Sequence, residues 1–524
     1  MRKAQCIGLL VIIVMTGMAF STTLFELAGG GKASEVDKAL ALGSKIDERD
    51  RDGRTPLMYA AWNNTDVEVV MILLRRGANV NLQDANGWSP LMFAARYNTN
   101  VEVLKVLLQA KADTRARNHH GLNPLALACG QENPNPEFVR ALLDAGADVT
   151  ITDTEGWTPL MVSVWYNTDP RIVRLLVDAK ADVNSRSVDG STPLMLASAK
   201  ETGNLGVIAA LLDAGAKVDT QNNNGISALM FACANPHPNT EVITALIGAG
   251  AAIHQRSNDG FSALMFAAKK SQNPEVLRLL VNVGADVQAR DNDGWTPLML
   301  ASWYNTSPEI IKALIDSGAK TNDGGDTGFT PLMLAANRED SHIEIIKTLL
   351  DAQADANREN QEGLTALMFA AAKENPDLVV IEALIANGAK VNVGDHDGWT
   401  PLMFGAWFNE SPEALDVLLE ADAAINGRSL TGLTPLMFAA RYNPNSQIAK
   451  RLLEAGADVD ATDESGMTAL MYAAKETRNP EILTLLLAAG AEGGTQDASG
   501  KTAYDYALAN PVLRETSELR ALGK

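Results

Sequence analysis

Cysteine is nearly missing from this chain, with three residues in 524, so a disulfide framework is not what holds it together. Histidine is almost as scarce. The six copies lie at scattered positions, and the adjacent pair His119 and His120 falls in a polar turn without metal-ligand spacing. No H-E-x-x-H and no G-x-S-x-G occurs, so the sequence shows neither a zincin nor a hydrolase elbow. Gly31-Lys32 and Gly500-Lys501-Thr502 lack the earlier glycine of a phosphate loop. A calcium loop built on Gly53 would end at Tyr59, where a bidentate glutamate is needed. These absences predict no cofactor, no metal site and no enzyme.

Basic residues are also in deficit, 44 Lys and Arg against 64 Asp and Glu, a net charge of −20. Such an acid repels phosphate backbones, which argues against nucleic acid and favours basic partners. Long apolar runs are absent except at the start. Arg2 and Lys3 lead, residues 7–18 carry no charge, and the small residues Gly17, Ala19 and Ser21 follow. The run is shorter than the ~20 residues that span a bilayer. This order predicts a signal peptide over residues 1–21, hence a periplasmic or secreted protein with no stable membrane span after cleavage. A retained anchor is the alternative. Removing Arg2 and Lys3 would leave 42 basic against 64 acidic residues, or −22.

What the chain has in abundance is one phrase. Thr55-Pro56-Leu57-Met58 returns as Ser89-Pro90-Leu91-Met92, Thr158-Pro159-Leu160-Met161, Thr296-Pro297-Leu298-Met299, Thr400-Pro401-Leu402-Met403 and Thr434-Pro435-Leu436-Met437. Each phrase follows a glycine that ends a short polar turn. From Gly53 to Gly500 those glycines recur every 34 or 35 residues, the mark of a one-dimensional repeat array.

One unit shows the logic. Asp291-Asn292-Asp293-Gly294 is turn chemistry. Thr296 can cap a helix, and Pro297 suits its first position. Asn305 and Thr306 break that helix. Ser307 and Pro308 open a second, with Glu309 in its first turn and Ile310, Ile311, Leu314 and Ile315 as an apolar stripe. Gly318 closes it. Two short helices cannot bury their own apolar faces, so the unit must stack on neighbours.

These residues resemble the ankyrin repeat family: D-x-x-G-x-T-P-L-x-x-A-A, a second helix with paired leucines, then an ending such as Gly146-Ala147-Asp148-Val149 or Gly77-Ala78-Asn79-Val80-Asn81. The resemblance implies an all-α solenoid of helix–turn–helix units joined by hairpin-like loops. It divides the chain into a capping half-repeat at 22–50, thirteen repeats over 51–500 and a C-terminal cap at 501–524. Methionine replaces the family's usual histidine after T-P-L, which removes the hydrogen bonds that histidine makes. Alanine replaces proline at Ala228, Ala263, Ala366 and Ala469. The extra one or two residues over the usual repeat align between the helices, as at residues 132–136, and predict a longer inter-helix turn. Cys129 and Cys233 share one register position three repeats apart, which exceeds the ~7 Å Cα limit of a disulfide and makes them small buried residues. The methionines, one per repeat, read as core rather than as a copper site. Asn63, Asn305 and Asn409 start glycosylation-like triplets but fall in turns that select asparagine anyway.

Ankyrin partners usually contact the hairpin tips and the end of the first helix. Carried over, the positions after the tip glycine are Trp88, Trp157, Phe261, Trp295, Phe329 and Trp399. The helix-end positions are Trp62, Arg96, Tyr97, Trp165, Tyr166, Trp303, Tyr304, Trp407, Phe408, Arg441 and Tyr442. All eight tryptophans fall in these two sets although aromatics are 5% of the chain. Lys200, Lys269, Lys270, Arg338, Lys373 and Lys475 occupy helix-end positions too and would add local positive charge. Two functions follow. One is a monomeric scaffold that binds a protein through an aromatic-lined groove and the hairpin tips. The other is a binder of glycan or cell-wall polymer by the same rings. A third possibility is that the rings only pack on one another.

Overall fold

The computed structural model describes residues 23–131, 134–166, 169–201, 203–513 and 516–522. The expected signal peptide lies outside them, as do two residues of the turn at 132–136. The described residues form thirty helices and no strand. They divide into two compact units, Met1–Leu196 with Ala209–Ala216, and Ala197–Ile208 with Lys217–Lys524.

Within each unit the helices lie in two rows. First helices pack on first helices, as Pro56–Asn63 on Pro90–Tyr97, and second helices on second helices, as Val67–Arg75 on Val101–Gln109. The sequence sets each helix locally. Thr55 accepts the Met58 N–H on its hydroxyl at 3.4 Å, and Pro56 follows at a position that needs no donor. Met58 returns the bond: its sulfur accepts the Thr55 N–H at 3.3 Å. Met92 and Met299 do the same for Ser89 and Thr296 at 3.5 Å. The methionine thus fills the inter-helix core, fully buried at Met58, Met92 and Met299, and covers one N–H that the helix start would leave bare. Histidine's loss is therefore partly made good by a weaker sulfur acceptor.

Three ladders join successive repeats. At the hairpin tips, Ala85 N–H donates to the Asp52 carbonyl and His119 N–H to Asn86 in one unit; Asn292 donates to Asp259 and His396 to Glu362 in the other. After several of the second helices, the asparagine that closes the repeat's ending reaches its neighbour. Asn81 donates to the Lys111 carbonyl and accepts the Asp113 N–H; Asn357 treats Gly388 and Lys390 likewise. The third ladder runs at the end of the first helices. The Asn98 side-chain amide donates to the carbonyls of Ala61 and Asn64, and that of Asn305 to Ala268 and Ser271 at 2.8 and 2.9 Å. Each caps the C-terminus of the preceding repeat's helix, whose carbonyls have no partner inside it. Asn305 and Asn409 are buried by this work, which supports their reading as turn residues.

The expected long turn between helices needs correction, because the repeats are of two kinds. Where the tip glycines are 34 residues apart, the first helix has eight residues, as Pro297–Tyr304, and residues 305–307 make a short turn to Pro308–Asp316. Where they are 35 apart, the helix stops at six residues, as Pro331–Ala336, and residues 337–342 make a longer turn to Ile343–Asp351. The division holds for every repeat from Gly53 to Gly500. The 35-residue repeats thus pair a shorter first helix with a longer turn, and the 34-residue repeats a longer helix with a shorter turn. Cys129 and Cys233 end two of the short helices, and both are buried thiols outside any disulfide. Burial pushes both thiols far above their ordinary pKa.

Candidate interaction surface

The two extra residues of the long first helix carry the helix-end rings, and the other tryptophans follow the tip glycines of the same kind of repeat. All eight tryptophans belong to 34-residue repeats, and every one is half-buried. Their positions are set at the tips. The N–H groups of Trp88, Trp157, Trp295 and Trp399 each donate to the carboxylate of the aspartate four residues before, at 2.8 Å. Burial raises Asp291 and Asp395 above the usual carboxylate range even though these N–H bonds pull the other way. The tip ring then meets the helix-end ring of its own repeat. Trp157 and Trp165 lie edge-on at 5.6 Å, Trp295 and Trp303 at 6.4 Å, and Trp399 and Trp407 at 5.4 Å.

In the N-terminal unit Trp62 stacks on Phe93 at 5.4 Å and meets Tyr97 at 5.5 Å, while Trp88 stacks on Tyr97 at 5.7 Å. The Arg54 guanidinium sits 5.1 Å over Trp62. Arg96 donates to the Gly130 carbonyl of the next repeat, so part of its charge is already engaged. In the larger unit Trp407 lies between Phe408 and Tyr442, each stacked at 4.5 Å. Arg441 pairs with Glu476 at 2.9 Å and spans Tyr442 and Tyr472. Lys269 lies 4.0 Å over Tyr304 and 5.4 Å from Phe261, and burial lowers its pKa.

The structure thus separates the sequence-predicted positions into two kinds. The tryptophans pack on rings of their own or the next repeat. The last residue of four long helices stays outside: Tyr97 is 47% exposed, Tyr166 53%, Tyr304 48% and Phe408 39%, whereas Tyr442, which ends Pro435–Tyr442, is half-buried. Phe93, Phe404 and Phe438 back the clusters from inside and were not singled out from sequence. Their signal was present, since all three follow the repeated methionine directly. Arg338 needs correction. It is not a surface charge but 4% exposed, with its guanidinium donating to the carbonyls of Ser302 and Asn305 and pairing with Asp340. It does the capping that asparagine does in the long-helix repeats. Lys373 in turn donates to the Arg338 carbonyl.

No group of three or more His, Cys, Asp or Glu among the described residues is placed to hold a metal ion. No described helix is long and apolar enough to cross a membrane. Stacked helix pairs, linked tips and an aromatic strip define the class as an α-helical repeat scaffold. A family model for ankyrin repeats in groups of three matches overlapping segments from residues 24–118 through 405–497. The chain belongs to the ankyrin repeat family, whose members are generally protein–protein interaction scaffolds and typically not enzymes. No curated protein matches it.

Proposed function

We propose that this chain is an exported scaffold that binds a protein partner along the ends of its long first helices and the adjoining tips. The exposed terminal rings Tyr97, Tyr166, Tyr304 and Phe408 carry this reading. Tyr97, Tyr304 and Phe408 each lie against a tryptophan and are thereby pre-ordered, so binding costs them little side-chain entropy. Rings of this kind are the usual anchors of protein interfaces. Sugar stacking asks for flat, open indoles, and these tryptophans are half-buried against other rings. Export rests on the charged start and short uncharged run before Phe20; N-terminal sequencing of the natural protein should begin between Phe20 and Thr22, and a product that retains Arg2 and Lys3 would count against it.

The test of the surface is a triple variant, Tyr97→Ala, Tyr166→Ala and Phe408→Ala. It should leave the melting curve close to wild type. Capture of an identified partner from the native compartment should weaken by about 2 kcal/mol or more, the scale of interface anchors. Undiminished capture by the folded variant would show that the partner lies elsewhere.

A further inference from the structure

Trp303, like Trp165, differs from Trp62 and Trp407 in the kind of repeat that follows it in the chain. The repeat after Trp62 is a long-helix repeat, and it lays Phe93 and Tyr97 against the indole. The repeat after Trp407 lays Tyr442 flat on it, at 4.5 Å and 20°. Trp303 is succeeded by two 35-residue repeats whose first helices, Pro331–Ala336 and Ala366–Ala371, stop before any such ring. In the place of the missing rings is a cleft of about 770 Å³, lined by Trp303, Arg338, Glu339, Asp340, Lys373 and Glu374 among others.

The charges of this cleft are unequally committed. Arg338 is taken up by two carbonyls and by Asp340, and Lys373 by the Arg338 carbonyl. Glu339 and Glu374 are exposed, and neither carboxylate is in an ion pair among the described residues. An indole wall beside two such carboxylates suits a flat cation. A guanidinium stacks on an aromatic face and pairs with carboxylates through the same plane. The chain's charge of −20 favours a basic partner over a neutral one.

We infer that this cleft receives an arginine side chain of the protein partner, stacked on Trp303 and paired with Glu339 and Glu374. The inference rests on the protein-binding reading and names the chemistry of one contact within it. Its test uses the full chain labelled with 5-fluorotryptophan, which gives one fluorine signal for each of the eight tryptophans. The signal lost in Trp303→Phe is that of Trp303; Trp303→Tyr serves should the phenylalanine variant not fold. The probe is the end-blocked peptide Gly-Gly-Arg-Gly-Gly at low ionic strength, with its citrulline counterpart as the uncharged isostere. The Trp303 signal should shift saturably with the arginine peptide and at least fivefold more weakly with citrulline. The exposed pair Glu339→Gln and Glu374→Gln should weaken the arginine response at least fivefold with the fold intact. A silent Trp303 signal, an equal response to citrulline, or an unchanged response in the glutamine variant would overturn the inference. A shift caused by a soluble glycan and not by the peptide would do so as well. The ring variant used for partner capture leaves Trp303, Glu339 and Glu374 untouched, so failure of the arginine contact and failure of protein binding are read separately.

Discussion

Single residues decide how the chain turns back after each second helix. Most repeats place glycine there, but Lys111, Lys180, Gln353 and Asp422 occupy the same position at φ of 66°, 71°, 61° and 63°. A side chain in the left-handed region costs roughly 1 kcal/mol relative to glycine. Lys180→Gly should therefore raise the urea midpoint, by that order if the segment unfolds as a unit. A fall would mean that the lysine side chain contributes more than its backbone loses. Space is not the issue at this position, since a Cβ on the equivalent Gly146 would meet nothing within 4 Å. The tips are different. A Cβ on Gly156, at φ 78°, would lie 2.9 Å from the Val188 backbone nitrogen of the next repeat. Gly156→Ala should then cost clearly more than Gly146→Ala in the same denaturation series. Acid acts at a third kind of residue. The bond from Arg338 holds the Asp340 carboxyl below its usual range. A depressed carboxylate stabilises the fold above its unfolded value near 3.9, and that contribution is lost as pH falls through the lower folded value. Asp340→Asn should destabilise at pH 6, and its difference from wild type should shrink below pH 4. A difference that stays constant across that range would show that the charge is not what matters.

At the scale of elements, the helix pairs were legible in the sequence because their signals are local. Thr296-Pro297 and Ser307-Pro308 mark two helix starts, and Gly318 marks an end, without reference to anything distant. The spacing of 34 or 35 was equally visible, but its meaning was not. Whether the first helix runs to Tyr304 or stops at Ala336 follows the length of its own repeat, and a bare spacing does not say whether a residue belongs to the helix or to the turn after it. The candidate surface was legible to the same extent. The register placed the tryptophans near tips and helix ends, yet it could not say that Trp407 is sandwiched while Phe408 stands outside. Arg338 escaped for the same reason: an arginine at a helix end reads as solvated until the carbonyls of Ser302 and Asn305 are seen beneath it. The asparagine ladder is the element-level consequence most open to test. Asn305→Ala would strip the buried carbonyls of Ala268 and Ser271 of their donors. Leaving buried acceptors bare costs about 1–3 kcal/mol. Asn63 is exposed and makes no such bond, so Asn63→Ala should change the midpoint by less than about 0.5 kcal/mol. Equal effects from the two substitutions would show that the ladder adds nothing to stability.

At the scale of the whole molecule, a repeat array has no single core, and its stability is a sum of repeats and of the interfaces between them. The interfaces here are not equivalent. Between residues 53 and 120 and again between 398 and 465, successive long first helices overlap their rings across the repeat boundary, as Trp62 with Tyr97 and Trp407 with Tyr442. Over residues 328–397 two short-helix repeats adjoin, and the first-helix ends are joined instead by Arg338 and Lys373, each donating to carbonyls of the repeat before. Hydrogen bonds to a charged donor contribute about 1.5–3 kcal/mol, but they depend on one side chain. Arg338→Ala should therefore weaken this stretch selectively. Hydrogen exchange should quicken in Pro331–Ala336 and in the adjoining helices Pro297–Tyr304 and Ala366–Ala371. Ala469–Glu476, in the same unit but several repeats on, should keep its protection, because nearest-neighbour coupling decays along an array. Acceleration spread evenly over the unit would mean that it unfolds as one cooperative body, with its ring-bearing and ring-free interfaces equally strong.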